Sequence, residues 1–191
     1  LELDVDVLCD GETGWVAAIL EHVERAGVHS GDSACVIPAP SVTPRLEREI
    51  RELSTTLAGA LGARGLLNLQ LAVQDGALHV LEANPRASRT VPFVAKATGV
   101  PLVDHACRLL LGASVADLDL PDRVVLDRAW AKEAIFPADR FAAAADRGVE
   151  MRSTGEVMAS GATTAAAYRR ALQAAGRATP RAGAQAPLQA V

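Results

Sequence analysis

The sequence predicts an α+β fold: a mostly antiparallel sheet with flanking helices. Two hairpin patterns, over residues 3–23 and 66–84, and a strongly amphipathic helix between them carry that expectation. Half of the 191 residues are hydrophobic but only 3% are aromatic, so the core must be built from Leu, Val, Ile and Ala.

Leu3, Val5 and Val7 alternate with Asp4 and Asp6, the pattern of a half-buried strand over 3–9. Asp10-Gly11-Glu12 is a turn, and Trp15 to Val23 is the returning strand. Gly27 to Ser33 holds too many small polar residues for regular structure. Thr43 caps a helix that Pro44 opens. Leu46, Ile50, Leu53, Leu57 and Leu61 form its apolar face, opposite Arg45, Glu47, Arg48, Glu49, Arg51 and Glu52. Gly62 and Gly65 end it. Val91 to Ala97 is a further helix stopping at Gly99, and Pro101 opens another that ends near Gly112. Ser114 caps a short turn, residues 123–136 read as strand, and Thr163 or Thr164 starts an alanine-rich helix running to about Gly176.

A net charge of −4, with basic residues scattered, argues against a nucleic-acid or anionic-membrane surface. No apolar run reaches the ~18 residues of a membrane span, and no signal peptide pattern is visible. The chain opens on Leu1, inside a strand pattern, so it is expected to begin within a longer fold. Cys9, Cys35 and Cys107 fit neither a zinc spacing nor a disulfide framework, which points to a reducing cytoplasm.

The second hairpin carries the chemistry. Leu67, Leu69, Leu71 and Val73 share one face of its first strand, and Asn68, Gln70 and Ala72 the other. In the second strand Leu81 and Ala83 share a face, and Val80, Glu82 and Asn84 the other. A two-residue loop at Asp75-Gly76 pairs Gln70 with Leu81 and mixes the faces. A three-residue loop, Asp75-Gly76-Ala77, pairs Gln70 with Glu82, Asn68 with Asn84 and Leu71 with Leu81, and is the expected turn. The polar face then offers the oxygen atoms of Gln70, Glu82 and Asn84, a donor set suited to a hard cation such as Mg²⁺. Arg86 and Arg89 follow where Pro85 ends the strand, and add positive charge next to it. Cation ligands with arginines at a strand end suit phosphoryl transfer, which depends on positioning and charge neutralisation. The same residues would also suit a solvated salt-bridge cluster.

GVHSGDSACVIPAP at 27–40, EANPRASRTVPFVAKATGVPL at 82–102 and MRSTGEVM at 151–158, in that order, resemble the large subunit of the carbamoyl phosphate synthetases. The resemblance runs from residue 1 to about 176 and implies the C-terminal lobe of an ATP-grasp fold. That subunit has two related ATP-grasp halves, one phosphorylating bicarbonate and one carbamate. RTVPFVAKATGVP, MRSTGEVM and Ser30 within GVHSGDS resemble the second. The resemblance implies that Gln70, Glu82 and Asn84 bind two divalent ions, Mg²⁺ or Mn²⁺, on ATP, with K⁺ a further candidate. Arg86 and Arg89 would be the catalytic pair that holds the transferring phosphoryl group and the carbamate. Glu2 would hold the nucleotide ribose, and Gly27, Val28, His29 and Ser30 a nucleotide-contacting loop, with capping of backbone groups the alternative for His29. His22, His79 and His105 are read as packing or surface residues, and Trp15 and Trp130 as core.

The organisation implied is an ATP-grasp C-lobe over 1–136 without its N-lobe, an extension of the same unit over 137–176, and a disordered tail over 177–191. The activity implied is that of a ligase using ATP to phosphorylate carbamate, within an enzyme that takes bicarbonate and glutamine-derived ammonia and serves arginine or pyrimidine biosynthesis. Its partners would be the remainder of the large subunit and a small glutaminase subunit. Lacking a glycine-rich loop to close over ATP, the chain alone is expected not to turn over. Another ATP-grasp carboxylate–amine ligase, such as a biotin carboxylase relative, and a non-catalytic truncated module are the competing readings.

Overall fold

The structure, a computed structural model, describes residues 1–136 and 149–177. The expectations for 137–148 and for the tail from 178 onward lie outside the described residues. In chain order the elements are β1 (Glu2–Asp10), β2 (Gly14–His22), β3 (Cys35–Ile37), α1 (Pro44–Ala60), β4 (Arg64–Gln74), β5 (Ala77–Asn84), α2 (Val91–Thr98), α3 (Leu102–Leu110), a 3-10 turn (Val115–Leu118), β6 (Ala129–Ile135), β7 (Gly155–Gly161) and α4 (Thr164–Ala174). They divide into two compact units. One comprises Leu3–Ile19 and Pro40–Leu126, the other Leu1–Glu2, Leu20–Ala39 and the described residues from Asp127 onward.

In the first unit the strands lie in the order β5-β4-β1-β2. The β1–β2 turn closes on Asp10, whose carboxylate accepts from the amides of Glu12 at 3.0 Å and Thr13 at 2.8 Å. β1 is more deeply buried than its alternation predicts: Asp4 and Asp6 are covered along with Leu3, Val5 and Val7. Thr43 caps α1 as expected, its hydroxyl accepting from the Leu46 amide at 3.3 Å. The helix is rotated from the predicted face, however. Its buried stripe is Ile50, Ser54 and Ala58, while Leu61 is exposed. Small residues win that face because the backbones come close: a Cβ on Gly59 would stand 2.6 Å from the Glu12 carbonyl oxygen. Ser54 fits there by donating to the Ile50 carbonyl at 2.7 Å. Gly62 ends the turn after α1, but Gly65 belongs to β4 and has no part in stopping the helix. α3 packs on β4. Trp15 is buried as expected, and its indole donates to the Pro121 carbonyl at 2.7 Å.

In the second unit the end of β2 pairs with β3, β3 with β6 and β6 with β7, all antiparallel. The strand expected over 123–136 begins only at Ala129. Arg123, Asp127 and Arg128 before it are exposed, and Asp127 pairs with its neighbour Arg128 instead of a strand. β3 and β7 were not expected. α4 packs on β6 and β7, capped by Thr163, whose hydroxyl accepts from the Ala166 amide at 3.2 Å. The core here is made of small residues: Val23, Ala34, Val36, Ala129, Ala131, Ala167 and Ala171, with Tyr168 packed against them. Burial, and then the nearby Glu133, push the Tyr168 hydroxyl up to about 12. Trp130 is half-buried, not core. Lys132, 1% exposed, pairs with Glu156 at 3.1 Å. Arg177, expected in the tail, instead pairs with the fully buried Glu133 at 2.9 Å.

Candidate functional site

The β4–β5 hairpin pairs Gln70 with Glu82 and Asn68 with Asn84, as the face reading predicts, but by another route. The turn is the two-residue Asp75-Gly76, with φ of 52° and 76°, the left-handed pair of a tight hairpin turn. Leu71 faces Val80 rather than Leu81. Leu81 is an extra residue that interrupts the ladder between the two registers, a β-bulge. Directly paired residues share a face, so Val80 sides with Leu71, contrary to expectation, while Glu82 and Asn84 side with Gln70 and Asn68. The bulge thus reconciles the tight turn with the polar face.

On that face Asn68 is buried, Gln70 and Asn84 are half-buried and Glu82 is exposed. The row therefore runs from a closed end toward solvent. The donor set, one carboxylate and two amide oxygens on a face that opens toward solvent, has the chemistry of a divalent-cation site. The Asn84 Nδ2 is shut off from solvent and has no hydrogen-bond partner among the described residues. Beyond the strand, the Arg86 amide donates to the Asn84 carbonyl at 2.8 Å, turning the chain at Pro85. Arg86 is exposed and Arg89 half-buried.

Asp6, which carried no role in the sequence, sits at the closed end of this row. It is 1% exposed, and its carboxylate takes the Asn68 amide at 3.0 Å, the Ser88 hydroxyl at 2.8 Å and the Thr90 hydroxyl. Ser88 and Thr90 also share a hydrogen bond of 2.6 Å. Burial pushes the Asp6 carboxyl up, against the pull of the Thr90, Asn68 and Ser88 donors.

The residues expected at a nucleotide lie in the other unit. Glu2 Oε1 accepts from the Gly27 amide at 3.2 Å, and Oε2 lies 3.5 Å from His22 Nδ1. His22, read as a packing residue, thus stands beside a candidate ligand. Its contact, against the opposing effect of burial, holds the Glu2 carboxyl below its usual value. Gly27 is exposed, with φ of 98°; Val28, His29 and Ser30 are half-buried. His29 caps backbone groups: its Nδ1 accepts from the Gly31 amide at 3.0 Å, and its carbonyl from the amides of Asp32 at 2.8 Å and Ser33 at 3.1 Å. The loop is tied down by Asp32, fully buried, which accepts from the amides of Arg152 at 2.8 Å and Ser153 at 2.9 Å. Ser153 in turn donates to the Gly31 carbonyl at 3.0 Å. Burial alone would raise the Asp32 carboxyl, but the hydrogen bonds from Ser153 and Arg152 outweigh it and hold the carboxyl below its ordinary value.

The profile of the family described as carbamoyl-phosphate synthase L chain, ATP binding domain, matches residues 1–118. The chain belongs to this family. It is 51% identical over 179 residues to the carbamoyl phosphate synthase large chain of Halobacterium salinarum, and 47% identical over 184 residues to that of Haemophilus ducreyi. These alignments take in 93% and 96% of this chain but only 17% of each relative, so the chain spans about a sixth of the length of the large chains it matches. Among solved structures it is similar to the biotin carboxylase subunit of pyruvate carboxylase (TM-score 0.69, 14% identity, 90% of this chain and 45% of that one). It is also similar to the biotin carboxylase domain of a single-chain bacterial carboxylase (TM-score 0.63, 18% identity, 91% and 45%). The fold is therefore the α+β arrangement of an ATP-grasp C-terminal lobe.

Within this carbamoyl-phosphate synthase segment, sequence reasoning missed Asp6, Asn68, Ser88, Thr90 and Asp32 as organising residues. Asp32 had only a weak signal, since an Asp in a loop such as GVHSGDS is as readily a turn residue as a buried anchor. Asp6 had none, because its donors stand 62, 82 and 84 residues away. Among the described residues no helix is long and apolar enough to cross a membrane.

Proposed function

We propose that this segment is the C-terminal lobe of the ATP-grasp half that phosphorylates carbamate in a carbamoyl phosphate synthase large chain. The observation that carries the reading is the pairing of Gln70 with Glu82 and of Asn68 with Asn84, which gathers oxygen donors at the strand end leading into Arg86 and Arg89. Motif resemblance to the carbamate half and about 50% identity to large chains support it. In this reading a carbamate oxygen attacks the terminal phosphorus of ATP. A new P–O bond forms, the bond to the ADP oxygen breaks, and ADP leaves with the electron pair. Arg86 and Arg89 donate to the oxygens on which charge is spread during transfer. Gln70, Glu82 and Asn84 would hold two divalent ions, Mg²⁺ or Mn²⁺, which when bound neutralise phosphate charge. Glu2 accepts from the ribose, and Gly27, Val28, His29 and Ser30 line the nucleotide. K⁺ as a further ion, the small glutaminase subunit as ammonia donor, service to arginine or pyrimidine synthesis and a cytoplasmic location belong to the same proposal.

The test is Glu82→Gln in a full-length large chain carrying this segment. The swap keeps size and an oxygen ligand but deletes the charge. ATP formation from ADP and carbamoyl phosphate, the same step in reverse, should fall ~10²-fold or more, with an unchanged thermal melt because Glu82 is exposed. A near-normal rate at saturating Mg²⁺ would make Glu82 a surface charge. A loss matched by loss of folded protein would make it structural.

A further inference from the structure

We infer that Asp6 is a positioning residue for the phosphoryl-binding arginines, acting through the hydroxyls of Ser88 and Thr90. The inference rests on the roles proposed above for Arg86 and Arg89. Those arginines stand on the short connection from the end of β5 to the start of α2, a stretch with no strand pairing of its own. One end is fixed by the ladder and by the Arg86 amide on the Asn84 carbonyl. The other end is held by the Val91 amide on the Ser88 carbonyl at 3.4 Å, by the start of α2 and by side chains. Ser88 and Thr90 flank Arg89, and both hydroxyls converge on the Asp6 carboxylate. Thr90 is also the residue from which α2 begins, its carbonyl accepting from the Val94 amide at 2.8 Å. The third donor on Asp6 is Asn68, whose β5 partner is the candidate cation ligand Asn84.

One buried carboxylate therefore references both parts of the site to the same strand. Through Asn68 it meets the row that holds the cation ligands, and through Ser88 and Thr90 the loop that holds the arginines. Asn68 brings an N–H to Asp6, while Ser88 and Thr90 bring two hydroxyl protons to three contacts, the two on Asp6 and the one between themselves, so the three side chains and the carboxyl group form one closed cluster. Asp6 is buried behind the row and its hydrogen bonds go to Asn68, Ser88 and Thr90, not to an arginine side chain, so its effect is on where the arginines stand. Misplacement on the scale of an ångström is enough to cost phosphoryl transfer an order of magnitude or more.

The experiment uses a full-length large chain carrying this segment and measures ATP formation from ADP and carbamoyl phosphate. Thr90→Val keeps shape and removes the hydroxyl; Thr90→Ser keeps the hydroxyl; Asp6→Ala removes both carboxylate oxygens. Thr90→Val and Asp6→Ala should raise the KM for carbamoyl phosphate roughly tenfold or more and leave the KM for Mg-ADP within twofold, while Thr90→Ser stays within about twofold of the parent on both. A merely structural role would lower the amount of active enzyme and the melting temperature without separating the two KM values, and that result overturns the inference. So does a Thr90→Val enzyme with the parent's KM for carbamoyl phosphate. Arg86→Ala and Arg89→Ala tell the two levels apart. If these raise the carbamoyl phosphate KM and Thr90→Val does not, the positioning role is wrong and the arginine assignment stands. If the arginine variants leave it unchanged, the assignment fails and the inference with it.

Discussion

Replacing Asp32 with Asn is a demanding test of how the loop at residues 27–33 is held. Asp32 is fully buried and accepts two backbone amides, from Arg152 at 2.8 Å and Ser153 at 2.9 Å. Hydrogen bonds to a charged group contribute ~1.5–3 kcal/mol each. Asn keeps one acceptor oxygen and so one bond, now uncharged. Its amide nitrogen must face the other donor, which loses the second bond and leaves a buried N–H unpaired at a further ~1–3 kcal/mol. The expected loss is about 3 kcal/mol or more, a large share of the ~5–15 kcal/mol of a typical domain. Equilibrium urea unfolding of parent and Asp32→Asn chains, repeated from pH 7 to pH 3, checks both size and origin. The native Asp32 carboxyl lies below its ordinary value, so the unfolded chain takes up the proton first. The carboxylate's contribution is therefore complete above the unfolded value of ~3.9 and is lost as pH falls through the lower native value. The gap between parent and variant should be constant from pH 7 to 5 and narrow below about pH 4. A gap under ~1 kcal/mol at pH 7, below the value of even one charged bond, or one that persists undiminished at pH 3, would refute the anchor.

Gly59→Ala should lower stability by up to about 2 kcal/mol in the same urea assay. The new Cβ meets the Glu12 carbonyl at 2.6 Å, an overpacking cost of ~1–3 kcal/mol, offset by ~1 kcal/mol of helix preference; a stabilised variant would mean that α1 can shift freely. Removing residues 178–191 should change stability by no more than ~0.5 kcal/mol. Arg177→Ala, by contrast, takes the guanidinium from the fully buried Glu133 and should cost roughly 1–3 kcal/mol; equal effects from the two changes would show that Arg177 does not dock.

Local signals were the legible part of the sequence. Thr43-Pro44, the Asp10 turn and Thr163 each act within a few residues, and each stands where expected. The pairing of Gln70 with Glu82 was legible because a slip would bury a carboxylate among leucines. What failed depended on partners distant in sequence. The face of α1 was misjudged because leucines at helical spacing outvote a glycine, and nothing local says that Glu12 will press on Gly59. β7, GEVMASG, has little alternation and exists by pairing with β6. Asp4 and Asp6 read as the solvent side of a strand, yet both are buried, and Asp6 is explained only by donors from β4 and the loop before α2. In the candidate site, the residue types and pairing were readable, while the network that fixes them was not.

The unpaired Leu81 gives the hairpin a slack residue. Pairing at the tip is counted from Asp75-Gly76, and pairing at the base from the row that contains Asn68 and Asn84. A single deletion anywhere from Ala77 to Leu81 would be absorbed by drawing Leu81 into the ladder or removing it, and Gln70 would still face Glu82. The tip of this hairpin can therefore change length or sequence over evolution without carrying the oxygen donors with it. Relatives aligned from the turn inward would place their ligands one position wrong, while those aligned from the E-x-N-P-R end would place them correctly.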